Sequence, residues 1–226
     1  MEHIPGSKHK KVTFIQLVVL TALLVASLSA CSGLQGGPLG TQQGPVLMFE
    51  DDFSDPTSGW EVSPQGGIKD YYNGTYHIQI DDPNIFSWSV VQQAYGDVIV
   101  EVDVAFTGSA DLAEMGIICR MVNNQDFYFM TIRSDGAYAI FKMYQGNEFF
   151  LGMDGYQPSD AINPGLNTNR LTASCVGEQL SLAVNGTPLA NVTDSSYLLG
   201  DVGVIAGAFE QTNVNVYFDN FQVKRP

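Results

Sequence analysis

Apolar and polar residues alternate along much of the chain after residue 96, with the period of two that is typical of half-buried β-strands. In residues 97–106, every second position from Val98 to Phe106 is apolar, while Glu101 and Asp103 fall on the opposite set of positions. Successive side chains of a strand point to opposite faces of its sheet. The pattern therefore predicts a strand with one face in the core and one face toward solvent.

A second segment has no such alternation. Residues 126–133 (DFYFMTIR) are almost continuously aromatic or apolar, which predicts a strand covered on both faces. Asp135 and Gly136 follow, and Asp-Gly between two strand-like runs is a strong hairpin signal. Residues 137–143 are therefore predicted to return as the next antiparallel strand.

Further hairpin signals continue to the end of the chain. Gly177-Glu178 and Asn185-Gly186 separate strand-like runs, whose ranges are 171–176, 179–184, 201–207 and 213–223. The spacing predicts roughly a dozen short strands and no helix longer than about two turns after residue 31. The predicted fold class is all-β, a two-sheet antiparallel sandwich in a single domain over residues 48–226.

The first thirty residues have a different pattern. Three lysines precede an apolar run over residues 12–30, and these are the parts of a secretory signal. Residues 28–31 (LSAC) resemble the lipobox of bacterial lipoproteins, in which the signal is cut before the cysteine and that cysteine is acylated. The resemblance implies a signal peptide at 1–30, a lipidated Cys31 and attachment to a membrane through acyl chains. The alternative is an uncleaved transmembrane anchor, since about 20 apolar residues span a bilayer; both interpretations place the folded part outside the cytoplasm.

Composition separates a tether from the domain and excludes one class of partner. Residues 31–47 carry no charge and are rich in Gly, Gln and Pro, which predicts a flexible linker after the lipidated cysteine.

The chain has a net charge of −14; without residues 1–30 it has 7 basic and 23 acidic residues, a net charge of −16. Nucleic-acid binding needs clustered Lys and Arg, so it is excluded. Membrane attachment is expected to depend on the lipid and not on a basic patch.

Two further cysteines lie in strand-like runs. Cys119 and Cys175 both fall on the inward positions of their alternating patterns, and an exported protein permits a disulfide between them. The alternative is two separate buried thiols. The spacing is not that of a zinc site, and no motif in the chain requires a cofactor.

The order of these segments resembles the concanavalin A-like lectin/glucanase superfamily, and within it the laminin-G-like jelly rolls of bacterial surface lipoproteins. The residues that carry the resemblance are 49–53 (FEDDF), Gly59-Trp60, 73–76 (NGTY), 101–104, 116–120 (GIICR), 127–132, 135–136, 169–186 and 218–223. The resemblance implies a jelly roll of two curved antiparallel sheets, in which glycans are commonly bound on the concave face. Fold alone does not fix function.

The resemblance also supplies a test for catalysis. Glucanases of this superfamily carry Glu-x-Asp-x-x-Glu on one strand, and retaining hydrolysis needs two carboxyl groups about 5 Å apart. Here Glu101 and Asp103 match, but Phe106 stands where the second glutamate is needed. The chain is therefore expected not to act as a glucanase through this motif. His77 is expected to be structural or to face solvent.

Carboxylates near the two ends of the domain suggest calcium. Asp51, Asp52 and Asp219 supply the hard oxygen ligands that calcium takes, and many members of the superfamily hold a structural calcium between the first and last strands. The alternative is that these are ordinary turn and strand-end carboxylates. A melting temperature that chelator leaves unchanged would exclude the calcium site.

Glycan binding is the third candidate chemistry. Sugar sites stack rings on aromatic side chains and fix hydroxyl groups with charged or amide groups. The candidates with this chemistry are Trp88, Glu101, Arg120, Tyr128, Arg133 and Tyr138. The alternative for most of the aromatic residues is a place in the sandwich core, which is the role expected for Trp60.

Together these observations predict a lipid-anchored, extracytoplasmic binding module that recognises carbohydrate at the cell surface and is non-catalytic. Two alternatives stay open. One is a glycan-acting hydrolase whose catalytic residues the sequence does not reveal. The other is a structural envelope or adhesion protein, for which a broad apolar patch on the surface would be the sign.

Overall fold

Strands account for all of the regular secondary structure that is described. A computed structural model describes residues 44–65, 67–108, 112–210 and 212–226, and the predicted signal peptide, the acylated Cys31 and most of the tether lie outside these ranges. The strands are β1 (Val46–Asp51), β2 (Ile68–Tyr72), β3 (Thr75–Ile80), β4 (Ile85–Tyr95), β5 (Val98–Gly108), β6 (Ala113–Asn123), β7 (Asp126–Arg133), β8 (Ala137–Tyr144), β9 (Asn147–Phe150), β10 (Gln157–Pro158), β11 (Asn169–Val176), β12 (Gln179–Val184), β13 (Thr187–Thr193), β14 (Gly200–Ala208) and β15 (Val214–Arg225).

These strands pair into two antiparallel sheets. The eight-stranded sheet has the order β13-β12-β11-β5-β15-β3-β2, and β1 pairs with the second half of β15. The seven-stranded sheet has the order β10-β8-β7-β6-β14-β4, and β9 extends its edge beside β8. The predicted all-β, two-sheet antiparallel sandwich is confirmed, and β1 beside β15 brings the first and last strands together as expected.

The alternating strand β5 and the continuously apolar strand β7 have the predicted burial. In β5, the five inward positions from Val98 to Phe106 are at most 5% exposed, while Glu101 and Asp103 are partly exposed on the outer face. In β7, the six positions from Phe127 to Ile132 are buried on both faces. The sequence of a strand is continuously apolar when both of its faces are covered.

The hairpins also form where the turn residues predict them. Asp135 and Gly136 lie in the turn that joins β7 to β8. Asn185 and Gly186 join β12 to β13 with φ of 51° and 80°. A two-residue turn of this type needs positive φ at both positions, which Asn and Gly adopt at the lowest cost.

The main core fills the space between the sheets. One aromatic cluster within it packs around Trp60, whose ring lies 5.2 Å from Phe53 and 4.9 Å from Phe221, centroid to centroid. The Trp60 indole Nε1–H donates to Asp51 Oδ2 at 2.9 Å, so its polar edge is satisfied inside the core. Trp60 is 5% exposed, which confirms its predicted place in the core.

A covalent link also crosses the sandwich. Cys119 on β6 and Cys175 on β11 are joined by a disulfide that connects the two sheets across 56 positions of sequence. Within the described residues, no helix is long and apolar enough to cross a membrane.

Candidate functional site

Each sheet has an outer face that points away from the main core, and the two outer faces differ in chemistry. On the eight-stranded sheet, most outer positions of β5, β11 and β15 are polar and partly exposed; we call this surface the polar face. Four of its charged members pair with one another, Glu101, Asp103, Arg170 and Lys224, and the fifth is Asp219, which lies opposite Asp103. On the seven-stranded sheet, the outer positions form a second apolar cluster, separate from the main core.

Charges on the polar face are paired with one another. Arg170 Nη2 lies 2.9 Å from Glu101 Oε2, and Arg170 Nη1 lies 3.3 Å from Asp103 Oδ1. Lys224 Nζ lies 2.9 Å from the other Glu101 oxygen, and Asn220 donates to Asp103 Oδ2 at 2.9 Å. Burial opposes ionisation of Glu101, but the hydrogen bonds from Lys224 and Arg170 outweigh it and lower the pKa of that carboxyl.

The outer side of the seven-stranded sheet is named here the aromatic face. Its aromatic members are Phe86, Trp88, Phe127, Phe129, Phe141, Phe150 and Tyr156. Phe129 stacks on Phe141 at 4.6 Å, and Phe141 lies 4.6 Å from Phe150 at the sheet edge. Phe127 and Phe129 are fully buried, whereas Phe86, Trp88 and Tyr156 are only partly buried. A ligand can therefore reach the partly buried rings and also Phe150, which is 38% exposed.

A glycine shapes this face. The Phe86 ring on β4 and the Phe129 ring on β7 meet over the two strands between them, β14 and β6, with ring centroids 5.6 Å apart. A Cβ on Gly207 of β14 would lie 2.6 Å from Cε1 of the Phe86 ring. The missing side chain at Gly207 is what lets the Phe86 ring lie flat on the sheet. Trp88, two residues further along β4, makes an equivalent contact with Phe127, with ring centroids 5.6 Å apart.

One end of the aromatic face is polar. Glu114 on β6 is 1% exposed and accepts hydrogen bonds from the Thr131 hydroxyl and, at 2.8 Å, from the Tyr156 hydroxyl. Burial raises the pKa of Glu114 to about 7, which these two hydrogen bonds only partly offset. The Arg133 guanidinium lies 4.4 Å above the Tyr156 ring and pairs with Asp135. Aromatic rings, a cation and carboxyl groups thus converge at this end.

The structure does not bring the six predicted glycan-binding residues into one site. Trp88 and Arg133 share the aromatic face, on β4 and β7. Glu101 lies on the polar face, on the other side of the sandwich. Tyr138 points between the sheets and donates to the Leu189 carbonyl oxygen at 3.0 Å.

Arg120 and Tyr128 are in the interior as well. Arg120 is fully buried and has φ of 54°, at a point where the pairing of β6 with both its neighbours shifts register. This bulge turns inward a side chain that simple alternation places outward. Tyr128 is fully buried and donates to Asp194, and burial raises its pKa to about 12. Neither side chain is accessible to a ligand on an outer face.

The predicted calcium ligands are engaged with the protein. Asp51 Oδ1 accepts from the Phe53 N–H and Asp51 Oδ2 accepts from Trp60. Asp219 accepts from the Asn220 N–H, and burial together with the nearby charges of Asp103 and Asp52 raises its pKa. Across the part of the chain that the structure describes, no three His, Cys, Asp or Glu side chains are arranged to hold a metal ion. Calcium binding stays a prediction, to be tested with chelator.

Sequence reasoning missed Glu114, Phe86 and Tyr156. Glu114 carries a detectable signal, because it is a lone carboxylate in the otherwise apolar run 113–119. Tyr156 carries none: it lies outside the strands and reaches Glu114 only through the path of the chain between β9 and β10.

Comparison with known proteins places the fold in a class. No known protein family matches the sequence, and no curated protein does. Solved structures do match, and they identify the sandwich as a jelly roll of the galectin-like kind. The predicted fold class is thus confirmed.

Three of these structures illustrate the likeness. The carbohydrate-binding module CBM66 from Bacillus subtilis matches with a TM-score of 0.56 and 12% identity, over 79% of this chain and 96% of that one. A Bacillus subtilis protein of unknown function with a galectin-like fold has a TM-score of 0.56 and 12% identity, over 80% and 96%. The GH43 protein BlXynB from Bacillus licheniformis has a TM-score of 0.59 and 14% identity, over 78% of this chain but only 39% of that one. At such identities the likeness establishes the fold alone.

Proposed function

We propose that this protein is a lipid-anchored, extracytoplasmic, non-catalytic module that binds carbohydrate on its aromatic face. The observation that carries the proposal is the set of partly exposed rings on that face, Phe86, Trp88 and Tyr156, beside the charged side chain of Arg133. Sugar rings present apolar C–H faces and hydroxyl edges, so they suit a surface that offers aromatic rings and charged hydrogen-bonding groups together. A fold shared with a carbohydrate-binding module supports the same class of ligand.

The dimensions of the face favour an extended ligand. Trp88 on β4 and Thr131 on β7 occupy the same row of the sheet, with β14 and β6 between them. Neighbouring strands are about 4.8 Å apart, so three steps separate these positions by roughly 14 Å. A chain of several sugar units running across the strands would contact Trp88 at one end and the Arg133 and Tyr156 pair at the other.

The first experiment is a glycan-array screen of residues 32–226, with and without calcium. Reproducible binding to one class of glycan is the expected result. A blank array with folded protein would contradict the proposal and favour the structural envelope role.

A pair of variants locates the site. Trp88→Ala is expected to lower affinity for the array ligand at least tenfold, whereas Tyr217→Ala is expected to leave it unchanged. Tyr217 is the matched control because it is a partly buried aromatic residue on the polar face, stacked on His77 at 4.6 Å. Affinity lost in Tyr217→Ala and kept in Trp88→Ala would move the site to the other sheet.

A hydrolase is the second candidate function, and one observation favours it. Glu114 has its pKa raised to about 7 by burial, as a general acid requires. A second carboxylate, Glu148, is near enough to raise that pKa further. Release of reducing ends from the array ligand that Glu114→Gln abolishes would establish hydrolysis. Release that survives in Glu114→Gln would exclude this residue as the acid.

Membrane anchoring has its own test. Mass spectrometry of the N-terminal peptide from the mature protein is expected to show acylated Cys31 as the first residue. A peptide that begins before Cys31 would support the uncleaved anchor instead.

A further inference from the structure

Many turns of the sandwich meet at the end where the chain enters it. Val46, the first residue of β1, pairs with Arg225 near the end of β15, and Cys175 pairs with Val98 beside them. On the other sheet, Gly200 pairs with Tyr95 at the same end of the molecule. The turns at this end, which we call the tether end, are 96–97, 124–125, 145–146, 177–178 and the segment 194–199.

The tether end presents several large apolar side chains to solvent, among polar turn residues that include Asp97 and Glu178. Leu198 and Leu199 are 56% and 59% exposed, and Val122, which adjoins them at the end of β6, is 58% exposed. Leu47 and Met48, where the tether joins β1, are 46% and 40% exposed. A cluster of large exposed apolar side chains marks an interaction site, whereas single ones are ordinary.

The segment that presents these leucines is held rigidly. Arg120 donates to the carbonyl oxygens of Gly96, Gly177 and Tyr197 at 3.2, 2.7 and 3.1 Å, so one buried guanidinium joins three of the turns. Tyr197 is 9% exposed, and its hydroxyl donates to the Met143 carbonyl oxygen at 2.8 Å. Leu198 follows directly, so the chain is fixed just before the two leucines that project into solvent.

A second set of bonds fixes the start of the same segment. Lys142 Nζ lies 2.7 Å from Asp194 Oδ2 and 3.0 Å from the Ser196 hydroxyl. Burial opposes ionisation of Asp194, but the hydrogen bonds from Lys142, Ser196 and Tyr128 outweigh it and hold its pKa well below the usual range. The conformation of the segment is therefore determined on both sides by buried polar contacts.

We propose that the tether end docks on the surface of a lipid bilayer, with the side chains of Leu198, Leu199 and Val122 in the interfacial layer. The proposal rests on the lipid anchoring proposed above. The chain between Cys31 and Val46 spans at most about 54 Å when fully extended, because each residue adds no more than about 3.6 Å. The membrane is thus always within reach of the end at which the tether enters.

Tethering makes a weak contact sufficient. Three apolar side chains give a small free energy of transfer, of about 25 cal/mol for each Å² that leaves water. A lipid anchor at Cys31 would hold the tether end near the bilayer at an effective concentration of about a millimolar, so the docked state would be populated without high intrinsic affinity. Residues 31–226 carry a net charge of −16, which favours docking on a neutral bilayer over an anionic one.

An environment-sensitive fluorophore at a single introduced cysteine tests this contact. We would label Leu198→Cys with NBD and use Leu166→Cys as the matched control, because Leu166 is 68% exposed in the loop before β11, at the opposite end. Both variants would be residues 31–226 with Cys31→Ser and an N-terminal hexahistidine tag. The tag binds nickel-chelating lipid in phosphatidylcholine vesicles and replaces the acyl anchor. The described residues all lie in one compact unit that begins after residue 41, so this form retains it whole.

The expected result is a blue shift of NBD emission at position 198 on vesicle binding, with quenching by spin-labelled lipid, and neither effect at position 166. Water-like emission at both positions would overturn the proposal. A blue shift at position 198 that needs no vesicles and grows with protein concentration would overturn it in favour of a second copy of this chain. Because the tag supplies the anchor, failure here is distinct from an unacylated Cys31 or a blank glycan array.

Discussion

The two outer faces of the sandwich accommodate their carboxyl groups in opposite ways. Each lies on the far side of a sheet whose inner face is mostly apolar. The polar face neutralises Glu101 and Asp103 with cations on neighbouring strands, Arg170 and Lys224. The aromatic face instead builds a second apolar layer, in which Phe129 is fully buried, and confines its buried carboxyl, Glu114, to one end.

This difference separates a face that supports the fold from a face that offers a site. The polar groups at the centre of the polar face are occupied by one another, so few are left for a ligand. Phe86 and Trp88 pack on a buried layer and stay partly exposed, and Tyr156 packs on the same layer with the Arg133 guanidinium over its ring. A preorganised surface of this kind loses little entropy on binding.

The largest expected effect comes from removing the centre of the aromatic face. Phe129→Ala should lower the free energy of unfolding by about 3–5 kcal/mol, since Phe→Ala in a core deletes packing and leaves a cavity. Tyr217→Ala on the polar face should cost less than half as much, because Tyr217 is partly exposed. Denaturant unfolding of both variants measures the difference. Equal costs would show that the second apolar layer is not a core.

The buried carboxyl of the aromatic face predicts the next largest effect. The pKa of Glu114 is about 7 in the folded protein, against about 4.3 in the unfolded chain. The folded state therefore binds the proton more tightly. The stability that this proton contributes is full below about pH 4.3 and is lost as pH rises through about 7, by roughly 4 kcal/mol.

Unfolding free energies at pH 5 and pH 8 measure this loss. Glu114→Gln should flatten the dependence between those values, because the amide does not titrate. A slope that persists unchanged in Glu114→Gln would assign the effect to other groups and would show that Glu114 is solvated.

The carboxylate of the polar face predicts the opposite sign. Because the pKa of Glu101 is lowered, its contribution to stability is present above the unfolded value of about 4.3 and is lost as pH falls through the folded value. Glu101→Gln should cost about 1 kcal/mol at pH 7 and less at pH 3. Unfolding at the two pH values is the measurement, and an equal cost at both would show that the ion pairs do not stabilise the fold.

Sequence pattern predicted the sheets because strands of this kind are fixed by local alternation. The valines of β5 and the unbroken apolar run of β7 determine which faces are covered, and Asp135-Gly136 determines where the chain turns. These signals lie within a few residues of one another, so they can be read before the fold is known.

The candidate site could be predicted only in part, because it depends on departures from alternation and on long-range contacts. Trp88 and Arg133 follow simple alternation and lie on the aromatic face. Arg120 does not, since a bulge with positive φ turns it inward. Tyr156 reaches Glu114 across 42 positions of sequence, and no local pattern encodes that contact.

The smallest expected effect tests whether the polar face is held by charge or by packing. Lys224→Met keeps most of the aliphatic length while removing the charge, and Arg170 remains to neutralise Glu101. We expect a cost below about 1 kcal/mol at low salt, as for other partly exposed ion pairs, and a smaller cost in 1 M salt, where screening acts over about 3 Å. Denaturant unfolding at both salt concentrations measures it. A cost that salt leaves unchanged would mean that the Lys224 stem stabilises the sheet by covering apolar surface, in which case the two outer faces differ less in their physics than their charges suggest.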